Sequence, residues 1–68
     1  MKNKVKKLRE RQGLTQKELG EHVNVSRQAI NAVETGKYDP SLWLAYRLAQ
    51  YFNTTIEAIF DFKESGNE

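Results

Sequence analysis

Residues 16–35 read Gln16-Lys17-Glu18-Leu19-Gly20-Glu21-His22-Val23-Asn24-Val25-Ser26-Arg27-Gln28-Ala29-Ile30-Asn31-Ala32-Val33-Glu34-Thr35. Leu19 and Val23 lie four apart, and Ile30 and Val33 lie three apart. Each spacing puts its pair on one face of a helix. Between them stands Asn24, a residue that tolerates the left-handed conformation a sharp helix exit requires. Ser26 follows as an N-cap. The stretch therefore predicts two short helices, Gln16–Val23 and Arg27–Glu34, joined by a tight turn. Gly20 sits inside the first of them, where glycine costs about 1 kcal/mol relative to alanine. A small residue there lets the following helix approach closely. In the second helix Ile30 and Val33 take the buried side, which leaves Arg27, Gln28 and Asn31 facing outward.

Working outward, Thr15 is an N-cap with Glu18 three residues later, the pattern of a capping box. A preceding helix is expected over residues 3–12, with Val5 and Leu8 on one face and Gly13 as its stop. The cluster Thr35-Gly36-Lys37-Tyr38-Asp39-Pro40 breaks structure. Ser41 then caps a fourth helix over residues 42–52, with Ala45, Leu48, Ala49 and Phe52 on one face, and Asn53 ends it. Thr55 starts a short fifth helix through Ile56, Ile59 and Phe60. The polar tail, residues 63–68, is expected to fray. Five short helices make an all-α fold, read as a single domain over residues 1–68 with its core in residues 4–60. Asp61-Phe62-Lys63 alternates, as does the extreme N-terminus, so a short two-stranded pairing of the termini is compatible with the sequence.

At 68 residues the chain buries only about 60% of its unfolded surface, so its stability is modest unless packing is good or copies associate. There is no cysteine, hence no disulfide and no thiolate metal site, and His22 cannot build a zinc site alone. No cofactor is expected. No apolar run approaches the roughly 18 residues that span a bilayer, and the basic N-terminus lacks the apolar segment of a signal peptide. A cytoplasmic protein is the expectation. The net charge of +2 is unevenly spread. Residues 1–12 hold six cations (Lys2, Lys4, Lys6, Lys7, Arg9, Arg11) against Glu10, whereas residues 41–68 hold Arg47 and Lys63 against four acids. One end attracts phosphate and the other does not. The plain alternative is a solvated first helix carrying ordinary surface lysines, Lys6 and Lys7 among them.

Two helices joined this way form a helix-turn-helix, whose second helix enters the DNA major groove. The motifs Leu14-Thr15-Gln16, Leu19-Gly20, Val25-Ser26-Arg27-Gln28, Ile30, Glu34-Thr35-Gly36 and Pro40-Ser41-Leu42 carry a fuller match. With them, residues 4–60 resemble the phage-repressor and Cro-like helix-turn-helix domains, the Xre family. Asn24 departs from the usual turn glycine, the loop through Tyr38-Asp39-Pro40 is short, and Trp43 is unusual. The resemblance implies roles by position. Gln16 would reach a DNA phosphate. Arg27, Gln28, Asn31 and Ala32 would face the groove floor, Arg suiting guanine, Gln or Asn adenine, and Ala a thymine methyl. Lys37, the Gly36 amide and Tyr38 would clamp backbone phosphate. Arg9 and Glu34 would pair structurally. The partner implied is double-stranded DNA carrying a palindromic operator, bound by a homodimer with Leu44, Ile56 and Phe60 at its interface.

Each assignment has a plainer alternative. Arg27 and Gln28 are also readable as exposed first-turn residues, His22 as a surface residue, and Ile56 and Phe60 as core. Trp43 has three readings: packing across a dimer, contact with sugar-phosphate, or lying on the domain's own surface. The functional reading is a small transcriptional regulator, a repressor acting by occupancy, with no room in the chain for a ligand-sensing domain. An antitoxin-like or coactivator-like protein-interaction module is the alternative. It calls for apolar anchors on the outer face of the third helix, where this chain has Arg27, Gln28 and Asn31. An enzyme fits poorly: Glu18 and Glu21 share a solvated face, without a cysteine, a second histidine or a glycine-rich phosphate loop.

Overall fold

In the computed structural model of the chain, which describes residues 1–63, four helices each start on a hydroxyl. Thr15, Ser26, Ser41 and Thr55 accept hydrogen bonds of 3.0–3.1 Å from the backbone N–H three residues ahead. These caps open α2 (Gln16–Val23), α3 (Arg27–Glu34), α4 (Leu42–Tyr51) and α5 (Ile56–Ile59), which follow α1 (Val5–Arg11). At α2 the capping box closes, because the Thr15 N–H also donates to Glu18 Oε1 at 2.9 Å. Bonding from the Thr15 backbone, then from its side chain, holds the Glu18 carboxyl below the usual carboxylate range. That contribution is complete above the ordinary glutamate pKa and is lost as pH falls through the lowered folded value.

The first helix is shorter than the residues 3–12 expected for it. Asn3 is extended, forming an antiparallel bridge with Phe60. Lys4 N–H donates to Ile59 O, and Asp61 N–H to Lys2 O, both at 2.9 Å. The termini thus pair, at Phe60 rather than along residues 61–63. Asn3 also starts α1: its Oδ1 accepts from Val5 N–H at 3.1 Å, while its Nδ2 donates to Val33 O at 2.8 Å. The fourth helix stops one residue early, with Phe52 as its cap and Asn53 in the left-handed region at φ 56°. Of the tail expected to fray, residues 64–68 lie outside the described residues.

The core gathers Val5, Leu19, Val23, Ile30, Val33, Leu48 and Ile59, with Leu44, Ala45, Ala49 and Phe60 around them. Leu8, Leu14, Val25 and Ile56 pack half-buried against it. The joint between α2 and α3 decides where α3 points. Asn24 takes φ 68° and ψ 40°, and Val25 N–H returns to Gly20 O at 2.9 Å. A Cβ on Gly20 would stand 2.6 Å from Val25 O. The close neighbour is the backbone of the turn itself.

Gly20→Val is therefore expected to destabilise the domain by about 1–3 kcal/mol, because the turn must give way to the branched side chain. Urea denaturation monitored by circular dichroism measures it. A midpoint unchanged from wild type would show that the turn has slack.

Candidate nucleic-acid interface

The outward face of α3 follows directly from its buried face. Ile30 and Val33 are sealed into the core, so the residues between them turn to solvent. Arg27, Gln28 and Asn31 are exposed, and Ala32 is half-buried beside them. None of these four side chains makes a hydrogen bond or ion pair that the fold depends on. Ser26, at the start of the helix, fixes the first turn and so aims Arg27 and Gln28 together. Across the turn, Lys17 and Glu21 of α2 line a shallow open cleft with Val25, Ser26 and Arg27. The sequence reading passed over Lys17. Its position next to Gln16 in the first turn of α2 was the available signal.

The other end of α3 is held by charge. Arg9 Nε donates to Glu34 Oε2 at 2.7 Å and Arg9 Nη2 to Glu34 Oε1 at 3.2 Å, a two-pronged pairing. Arg9 Nη1 donates to Leu14 O at 2.7 Å, and Gln16 Nε2 to Glu34 Oε1 at 3.0 Å. The Glu34 side chain is 2% exposed and that of Arg9 11%. Hydrogen bonding to Glu34 raises the Arg9 pKa, against the opposing effect of burial, so the guanidinium stays charged. Gln16 keeps its second amide hydrogen, since a primary amide carries two.

Beyond Glu34 the helix ends at Gly36, whose φ of 74° is left-handed. Lys37 N–H donates to Ala32 O at 3.0 Å and Gly36 N–H to Val33 O at 3.1 Å, the paired bonds of a Schellman ending. The Gly36 amide is thus committed to the helix end, and the expectation that it clamps phosphate is withdrawn. Lys37 and Tyr38 project from this fixed ending and are exposed. Asn3, expected at the start of the first helix or in a pairing of the termini, secures the same end through Val33 O.

Of the residues expected at an interface, Leu44, Ile56 and Phe60, Ile56 alone keeps a partly exposed side chain. Leu44 is 5% exposed and Phe60 3%, both inside the subunit's own core, and Ile56 packs against that core. The expected buried face of the fourth helix began at Ala45. The helix actually buries Leu44 as well, which turns Leu42, Trp43 and Tyr46 outward. Among the described residues no helix is long and apolar enough to cross a membrane.

Glu34→Ala is expected to cost about 3 kcal/mol, the lower edge for stranding one member of a buried pair, since Arg9 keeps a wetted rim. The double change Arg9→Met with Glu34→Leu is expected to recover most of that loss. A urea-denaturation cycle over the four proteins tests both. A Glu34→Ala loss within about 0.5 kcal/mol, the range of surface changes, would mean the pair does not hold the helix.

A family model described as helix-turn-helix matches residues 5–59. An uncharacterized HTH-type transcriptional regulator of Methanocaldococcus jannaschii is 50% identical over 64 residues, covering 94% of this chain and 97% of the relative. A regulator similarly described from Bacillus subtilis is 48% identical over 64 residues, with the same coverage. One from Archaeoglobus fulgidus is 47% identical over 64 residues, covering 94% of this chain and 90% of the relative. The helix-turn-helix unit therefore makes up nearly the whole of each of these relatives. The capped turn, the polar outer face of α3 and the matched residues agree: the chain belongs to the Xre-like helix-turn-helix family of transcriptional regulators.

Proposed function

We propose that the chain is a sequence-specific double-stranded DNA-binding regulator, a repressor, that reads the major groove with α3. The observation that carries this reading is the outer face of α3. Arg27, Gln28 and Asn31 are exposed there, Ala32 lies beside them, and the fold uses none of their side chains. Arg27 suits guanine, Gln28 and Asn31 adenine, and Ala32 a thymine methyl. Gln16, Lys37 and Tyr38 form the phosphate set, sited at both ends of the helix-turn-helix. A bound domain of this kind represses by occupying a promoter, and it works in the cytoplasm, where that promoter is. An interaction module would need apolar anchors on this face, which it lacks.

An eight-residue helix is about 12 Å long and covers only three or four base pairs, each about 3.4 Å deep. That is little information for one site. A homodimer on a palindromic operator doubles it, placing two copies of α3 about 34 Å apart.

Two experiments separate positioning from reading. Lys37→Ala is expected to weaken binding about equally on all duplexes and to lower the salt slope by roughly 1 between 50 and 200 mM. An unchanged slope removes Lys37 from the phosphate set. Arg27→Ala and Gln28→Ala are expected to leave thermal stability within about 0.5 kcal/mol. Each should cost about 1–3 kcal/mol on the best site and relax one base position per half-site. Affinity for scrambled DNA should hardly move, because phosphate contacts supply it. Sites recovered from random DNA provide the cognate duplex. If both variants keep the full cognate-to-scrambled ratio, α3 is not the reading element.

A further inference from the structure

We propose that Asn3 is a positioning residue for the DNA-backbone contact. By tying the end of α3 to the start of α1, it fixes the loop from which Lys37 and Tyr38 reach phosphate. The inference rests on the DNA-binding reading above and adds to it a residue that acts through others. Asn3 stands where three parts of the chain meet. Its backbone bridges Phe60, flanked by Lys4 N–H on Ile59 O and Asp61 N–H on Lys2 O, both at 2.9 Å. Ile59 and Phe60 are buried on one side of it, and Val5 on the other. The side chain therefore projects from a mount that is part of the core.

That side chain is spent entirely on backbone groups. Its Oδ1 accepts from Val5 N–H at 3.1 Å. Its Nδ2 donates to Val33 O at 2.8 Å and to Met1 O at 3.3 Å. A primary amide carries two N–H donors, and both are used. The reversed amide would set an N–H against Val5 N–H and an oxygen against the Val33 carbonyl. The network therefore admits one orientation.

The object held is the turn that ends α3. Val33 O accepts from Gly36 N–H at 3.1 Å as well as from Asn3, which occupies both its lone pairs. Gly36 then redirects the chain at φ 74°, and Lys37 N–H returns to Ala32 O at 3.0 Å. Among the described residues, the Gly36 and Lys37 amides make the only backbone–backbone hydrogen bonds of residues 36–40. Met1, held by the second N–H of Asn3, runs beside the same turn. A Cβ on Gly36 would stand 3.4 Å from Met1 O. Asn3 thus braces the turn from outside α3, through Val33 O and through Met1. Lys37 and Tyr38 are exposed on that turn. Ordering a loop and a long side chain on binding costs affinity, and order already present in the free protein removes that cost.

The test separates this role from plain helix capping. Asn3→Ser keeps an oxygen that caps Val5 N–H but is too short to reach Val33 O, whereas Asn3→Ala loses both functions. Thermal melting should place Asn3→Ser between wild type and Asn3→Ala. Amide exchange of the full-length protein is followed by NMR. In Asn3→Ser, Gly36 and Lys37 should exchange roughly tenfold faster, the worth of about one hydrogen bond. Val25, whose N–H closes the other end of the helix-turn-helix on Gly20 O, is the internal reference. On DNA both variants should bind roughly two- to tenfold more weakly, on cognate and scrambled duplexes alike. Most of that loss should vanish in a Lys37→Ala background and persist in an Arg27→Ala background. Exchange that rises equally at Val25, or not at all at Gly36 and Lys37, would overturn the inference. So would a full loss in the Lys37→Ala background, or binding restored by Asn3→Ser, since either means that Asn3 acts through stability. If Lys37→Ala itself leaves the salt slope unchanged, the phosphate reading fails and takes this inference with it. A lowered slope beside an additive cycle sinks the inference alone.

Discussion

One guanidinium, that of Arg9, ties three parts of this domain to one another. It grips Glu34 at the end of α3, takes the Leu14 carbonyl before α2, and rides on α1. Gln16, the first residue of α2, closes the cluster on the same carboxylate. A domain this small has few apolar side chains to fix the relative angle of its helices, and two of those buried are alanines. Apolar burial is non-directional, whereas a two-pronged Arg–carboxylate pair has one good geometry. Such a pair is weak support for net stability, because both charges give up solvent. Its role here is to set where α3 ends relative to α1 and α2.

The two ends of α3 are fixed by different means. At its start the constraint is backbone against backbone, with Gly20 lying under the turn and Asn24 in a left-handed conformation. At its finish the carbonyls of Ala32 and Val33 are taken by Lys37 N–H and Gly36 N–H, and Val33 O also accepts from Asn3. The N-terminal segment therefore acts as a brace for the end of α3. Its cluster of positive charge has to be read accordingly. Arg9 is consumed by Glu34, and Lys2 and Lys4 lie along the terminal bridge in a groove shared with Glu57 and Asp61. The cations placed at the outer face of the helix-turn-helix are Lys17, Arg27 and Lys37. Of the N-terminal cations, Lys6, Lys7 and Arg11 remain exposed on α1.

Most of the helical frame was legible because its signals are local. A hydroxyl at Thr15, Ser26, Ser41 or Thr55 caps within three residues, and Gly13, Asn24, Gly36 and Asn53 end helices through their own φ. The outer face of α3 was legible for the same reason, since period fixes it once Ile30 and Val33 are buried. What was not legible depends on distant partners. Asn3 reads as helix until Phe60, at the far end of the chain, pairs with it. The Gly36 amide looks free until Val33 O takes it. In α4 nearly every residue is apolar or aromatic, so periodicity picked out Ala45, Leu48 and Ala49 but did not place Leu44 with them. Packing against α2 and α5 assigned Leu44 to the core and left Trp43 outside. The reading of Trp43 stayed open for that reason.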